Sequence, residues 1–230
     1  MKLVLLPGMD GTGELFSDLQ NRLPRRSNPV VIKYPSTEKL SLYELAELVQ
    51  NCFPIDENFV LIAESFSVPV ALICAAKNPA NLKALVLCAG FATSPIKGVS
   101  RYIARLLAPF VLKISLPKMV FKIWLIGKNS DAVLLSKIKN VVSSMKKSVL
   151  IDRVESVFNC DVRKEIGEIK IPILYIRAKN DRLISKSCYE EIKLANSNVK
   201  LSELDGPHFI LQKEPNKSAK IILEFIEDVC

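Results

Sequence analysis

The chain has 230 residues and a mass of 25.7 kDa, with 49% apolar residues, 24% charged residues and a formal net charge of +8. That balance excludes a mainly disordered chain, and its length suits one domain with room for an insertion. No run of about 18 uncharged apolar residues occurs, so no membrane-spanning helix is expected.

Six short apolar runs read as strands. They are Lys2–Leu6, Val30–Lys33, Phe59–Ala63, Ala84–Cys88, Ile171–Ile176 and Val199–Leu204. Most are continuous rather than alternating, as expected of a parallel sheet covered on both faces. Helical patterns lie between them. Ser41 and Glu44 form a capping box ahead of an apolar face made by Leu42, Leu45, Ala46, Val49, Cys52 and Phe53, which Pro54 ends. Phe66–Ala76 reads as a helix with Pro69 in its first turn, where a missing N–H costs little. Pro215–Val229 reads as a closing amphipathic helix. Strands alternating with helices predict a doubly wound α/β domain. The alternation breaks between residues 93 and 167, where helical patterns occur without a convincing strand. Residues 1–92 and 168–230 are therefore read as the core, and 93–167 as a helical cap over the sheet's ligand edge.

The charge is localised. From Lys97 to Glu155 there are twelve Lys and Arg against three acids, while the rest of the chain has 20 basic and 21 acidic residues. This points to a local partner surface and away from nucleic-acid binding. Cys52, Cys74, Cys88, Cys160, Cys188 and Cys230 show no CxxC spacing, so neither a disulfide framework nor a zinc site is indicated. Cys52, Cys74 and Cys88 lie in apolar segments and read as small buried hydrophobes. Only Leu3–Leu6 precede Pro7-Gly8, against the roughly 7–15 apolar residues of a secretory signal, so a cytoplasmic location is expected.

Three stretches carry side chains suited to chemistry. In Ala63-Glu64-Ser65-Phe66-Ser67 the serine stands between a buried strand and a helix start; taken alone, it reads equally as a helix cap. In Ile173-Leu-Tyr-Ile-Arg-Ala-Lys-Asn-Asp181 the acid follows the fifth strand, where it also suits a turn. In Leu204-Asp-Gly-Pro-His208 the only histidine of the chain lies just past the sixth strand. A fourth stretch, Gly8-Met9-Asp10-Gly11-Thr12-Gly13, follows the first strand, but its spacing fits neither the dinucleotide fingerprint nor a P-loop.

Together these stretches resemble the α/β-hydrolase superfamily, in particular small bacterial serine hydrolases. The family's elbow pattern is Gly-x-Ser-x-Gly, here with Ala63 and Ser67 in place of the glycines, and its chain order is Ser, acid, His. The resemblance implies an α/β-hydrolase fold with a mostly parallel six-stranded sheet and a helical cap. It implies Ser65 as nucleophile, His208 as general base and Asp181 as its orienting acid, with the N–H groups of Met9 and Phe66 as the oxyanion hole. It gives Glu64 a structural role, and makes Asp205 a rival acid set too close to His208 along the chain. The implied activity is hydrolysis of carboxylic esters of small or medium acyl groups, without metal or cofactor. A thioesterase or acyltransferase would use the same triad, and a non-catalytic binding protein would keep only the fold. In the cap, Leu106, Phe110, Phe121 and Trp124 are candidates to line an acyl pocket. Its basic face suits an acidic acyl-carrier protein, as in the resembled pimeloyl-carrier-protein methyl ester esterases, or an anionic membrane surface. The plainer reading, lysines simply kept in water, is the one the composition favours.

Overall fold

The computed structural model describes residues 1–96 and 132–229; Leu106, Phe110, Phe121 and Trp124 lie outside them. Six strands form one sheet: β1 (Lys2–Leu6), β2 (Val30–Val31), β3 (Phe59–Glu64), β4 (Leu82–Cys88), β5 (Ile173–Ala178) and β6 (Val199–Leu204). Their order across the sheet is β2-β1-β3-β4-β5-β6, and every pairing is parallel. The chain crosses β1 once, so β1 and β3 flank the point where the strand order reverses. Open α/β sheets bind ligands at the carboxyl ends of the strands beside such a point.

Side-chain alternation divides the core into two layers. Val4 and Leu6 of β1, with Phe59, Leu61 and Ala63 of β3, face α2 (Leu42–Asn51), α3 (Ser67–Ala76), α6 (Arg163–Glu168) and α7 (Lys186–Ala195). Leu3 and Leu5, with Val60 and Ile62, face α1 (Ser17–Gln20), α8 (Ile210–Lys213) and α9 (Pro215–Val229). All six residues of β3 are buried, which accounts for its unbroken apolar run up to Glu64. Each such aliphatic side chain removed from water contributes about 1.5–3 kcal/mol.

The helices follow their sequence signals. Ser41 and Glu44 form the capping box in both directions, at 3.2 and 2.8 Å. Leu42, Leu45, Ala46 and Val49 are buried as their spacing predicts. Cys52 is exposed instead, because α2 ends at Asn51 and the chain turns off the apolar face. Cys74, Cys88, Cys160 and Cys188 are buried. Strand ends differ by a few residues from the sequence reading: β2 is only two residues long, β4 starts at Leu82, and β5 starts after Pro172, which has no N–H for a ladder.

Between β4 and β5 lie α4 (Ala132–Ser144), α5 (Lys147–Asn159) and α6. Among the described residues there, the β-pairing is one isolated antiparallel bridge, Thr93 to Asp161. On α4, Leu134, Ile138 and Val141 pack against Leu15 from the loop after β1, with Phe209 alongside. Among the described residues no helix is long and apolar enough to cross a membrane.

Gly90, just past β4, lies against Val68 of α3. A Cβ there would sit 2.1 Å from Cγ2 of Val68. Gly90→Ala is therefore expected to destabilise the fold by about 1–3 kcal/mol, the usual cost of overpacking. In the Val68→Ala background the same change should cost measurably less, as a urea-unfolding double-mutant cycle will show.

Candidate active site

The register of the sheet assembles the site. Leu6 is paired with Ala63, Glu64 with Cys88, Cys88 with Ile176 and Ala178 with Leu204, so the loops after these strands leave along one edge. Ser65, Asp181 and His208 all stand in those loops.

Ser65 has φ 52°, in the left-handed region. A non-glycine residue there costs about 1–2 kcal/mol, and such strain needs a surrounding structure that fixes it. Here the Ser65 N–H donates to the Cys88 carbonyl at 2.9 Å, and the Val68 N–H donates to the Ser65 carbonyl at 3.0 Å. The chain thus reverses from β3 into α3 through one strained residue, which lifts the serine side chain off the end of the strand. Ser67, at the position of the elbow's second glycine, is fully buried. Its hydroxyl donates to the Pro7 carbonyl at the end of β1 and is 2.5 Å from the Tyr34 hydroxyl. A hydroxyl here does what glycine cannot, since it ties the elbow to the loop after β1.

Ser65 Oγ lies 2.9 Å from His208 Nε2, and His208 Nδ1 lies 2.8 Å from Asp181 Oδ2. The other carboxylate oxygen of Asp181 accepts from the N–H groups of Leu183 and Ile184, at 2.8 and 2.9 Å. The Asp181 and His208 side chains are 2% and 7% exposed, so this ion-pair geometry is held away from water. Burial disfavours the imidazolium of His208. The hydrogen bond and charge of Asp181, with the charge of Glu64, outweigh it and raise the His208 pKa above its ordinary value. Asp205, the rival acid, is exposed and pairs with Lys179 at 3.3 Å.

Met9 follows β1 and Phe66 follows Ser65; among the described residues neither N–H meets an acceptor. Asp10 is buried, and its Oδ1 accepts from the N–H and hydroxyl of Thr12, at 2.8 and 2.6 Å. Among the described residues no three His, Cys, Asp or Glu side chains converge as metal ligands would.

Two residues at the site carried no functional reading in the sequence. Arg153 falls in the basic segment yet is buried; its signal was position, four residues after Val149 on the inner face of α5. Gln212 is the other. Its Nε2 donates to Glu64 Oε2 at 3.1 Å, linking the residue before Ser65 to the helix after His208. Glu64 Oε1 has no partner among the described residues.

No protein-family model matches the chain, and no curated protein matches it. Solved structures do. An esterase from Exiguobacterium antarcticum superposes with a TM-score of 0.85 at 16% identity, over 99% of this chain and 92% of that one. The chain has the α/β-hydrolase fold. An enol-lactonase from Burkholderia xenovorans LB400 matches at a TM-score of 0.78 and 16% identity, over 98% of this chain and 90% of that one. A bromoperoxidase from Bacillus anthracis matches at 0.82 and 13% identity, over 98% and 91%. The α/β-hydrolase fold thus hosts differently named activities, and the function of this chain has to be argued from its own site.

Burial pushes the Glu64 carboxyl up from 4.5 to about 7. The folded chain then binds more protons than the unfolded chain between those values, so this group's contribution to stability falls as pH rises through that window. Relative to Glu64→Gln, the wild type is expected to lose up to about 3 kcal/mol between pH 4.5 and 7. Urea unfolding of both proteins across that range will show it.

Proposed function

We propose that this α/β-hydrolase-fold chain is a serine hydrolase that cleaves carboxylic esters of small or medium acyl groups through an acyl-enzyme. The observation that carries this reading is the unbroken hydrogen-bonded series from Ser65 through His208 to Asp181, starting at a residue held at positive φ. An ordinary helix-capping serine has no need of that strain or of a buried imidazole beside it.

In this reading Ser65 Oγ attacks the acyl carbonyl carbon as His208 Nε2 takes its proton. The carbonyl oxygen becomes an oxyanion facing the N–H groups of Met9 and Phe66. Asp181 fixes the imidazole with Nε2 as the acceptor and stabilises the imidazolium that forms. The tetrahedral intermediate collapses, and the alcohol leaves with the proton from Nε2. Water then attacks the acyl-enzyme, giving its proton to Nε2, and the acid departs as Ser65 regains a proton. The segment 93–167 serves as the cap, and its α4, packed on Leu15 and beside Phe209, gives the acyl group an apolar wall next to His208. A thioester would enter through the same first step, with a thiol as leaving group.

The test is hydrolysis of p-nitrophenyl esters of increasing chain length. Ser65→Ala is expected to lower kcat by about 10⁴-fold or more while unfolding like the wild type. A folded wild type that turns over no ester, or a Ser65→Ala variant that keeps its activity, overturns the reading. Because the base must be neutral, kcat/KM should fall on the acid side through a pKa above the ordinary 6.5 of imidazole. In Asp181→Asn that acid limb should move to lower pH, because the bond and charge that raise His208 are gone, and kcat should fall.

A further inference from the structure

We propose that Arg153 is a positioning residue for the oxyanion hole, holding the main-chain carbonyl of Met9 and the ring of Phe66; this rests on the serine-hydrolase reading above. Arg153 comes from α5, far from β1 and β3 in the chain, and is 3% exposed. Its Nη1 donates to the Met9 carbonyl at 2.6 Å, and its Nη2 donates to the Pro35 carbonyl at 2.9 Å. The guanidinium carbon lies 5.6 Å from the ring centroid of Tyr34 and 6.0 Å from that of Phe66, within the range of a cation–π contact. One side chain thus touches both residues whose N–H groups face the developing charge.

The local backbone explains why such a brace is needed. The Gly11 N–H donates to the Gly8 carbonyl at 3.1 Å, closing a four-residue turn with Met9 and Asp10 at its centre. The central peptide of such a turn can lie in either of two orientations, which is what separates the two common turn types. Its carbonyl here is that of Met9, and the bond from Arg153 selects one orientation. The Met9–Asp10 peptide is thereby anchored to α5, and with it the turn, closed by Gly8 and Gly11, that carries the Met9 N–H on the neighbouring peptide. Gly11 leaves the room: at φ +71°, a Cβ there would lie 2.7 Å from Nη1 and 2.9 Å from the Tyr34 Cβ. Phe66 is braced through its ring, which also packs edge-on to Tyr34 at 6.5 Å.

A structural role alone accounts poorly for an arginine at this position. Val149 and Phe158 of the same helix are buried apolar residues, so a hydrocarbon side chain would continue that face. A buried charge costs desolvation energy that an apolar residue avoids, unless its hydrogen bonds serve a purpose. The acids acting on Arg153 are Asp10 and Asp152, and burial outweighs them in lowering its pKa. Its hydrogen bonds to Met9 and Pro35 go to main-chain carbonyls of two loops.

The test compares the full-length wild type with Arg153→Met and Arg153→Lys. Amide hydrogen exchange over residues 8–13 should rise about tenfold or more in Arg153→Met, as expected when a loop loses its brace. With the best p-nitrophenyl ester, kcat should fall by about 10²-fold, the scale of one lost oxyanion donor, with KM within about threefold of the wild type. Arg153→Lys should recover part of that loss, since an ammonium reaches one carbonyl but cannot span two in a fixed fork. Exchange and kcat both unchanged in a folded Arg153→Met would overturn the proposal, as would a raised KM with kcat intact, which would mark a substrate contact. If the wild type hydrolyses no ester, the function is wrong, and the exchange data alone decide whether Arg153 holds the loop. If Arg153→Met does not fold, the same two readouts on Arg153→Lys decide.

Discussion

The site depends on one strained residue. Ser65 occupies a backbone region that side chains disfavour, and it stays there because β4 accepts its N–H and α3 starts directly behind it. The close approach that makes this possible extends to Gly90, where no side chain larger than hydrogen fits beside Val68. The direction in which the Ser65 side chain leaves the strand is therefore set by the main chain. Its partners can then come from loops elsewhere, provided that the sheet register brings those loops to the same edge.

The polar groups around the elbow differ in how fully they are satisfied, and the differences match their tasks. Asp181 accepts hydrogen bonds from two main-chain N–H groups and lies against the imidazole, so both of its carboxylate oxygens have partners although little of the side chain meets water. Glu64 has one bond from Gln212 and burial on every side, so it holds its proton far above the usual carboxyl range. Ser67 and Tyr34 share a hydrogen bond beneath the turn, and the Tyr34 hydroxyl is pushed well up by burial, so the pair stays neutral. The Ser67–Tyr34 pair beneath Ser65 is thus neutral, while the charges of Asp181 and Glu64 both favour the imidazolium of His208.

Much of this was readable in the residues. Continuous apolar runs announced a covered parallel sheet, and the Ser41/Glu44 pair and Pro54 bounded α2 because they act locally. Ser65, Asp181 and His208 could be picked out because they stand shortly after three strands in the chain order of the resembled α/β-hydrolase pattern. Strand lengths were less readable, since pairing sets them; β2 shrinks to two residues because its register with β1 covers Val30 and Val31 and ends where the Ile32 N–H meets the Leu5 carbonyl. Arg153 was hidden for a related reason. A cation in a basic segment looks solvated until its helix is docked, and only the packing of α5 against the loops after β1 and β2 turns its face inward. The hydroxyl of Ser67 was equally opaque, because size alone explains a serine in an elbow and its two oxygen partners are distant in sequence.

The contact between Ser65 and His208 closes 143 positions of chain. Loop-closure entropy favours contacts of shorter span, such as the one from Ser65 to Cys88, ahead of it. On the serine-hydrolase reading we propose, a chain in which β6, at the far edge of the sheet, has not joined β5 has its serine without a proton acceptor. The topology then couples reactivity to completion of folding.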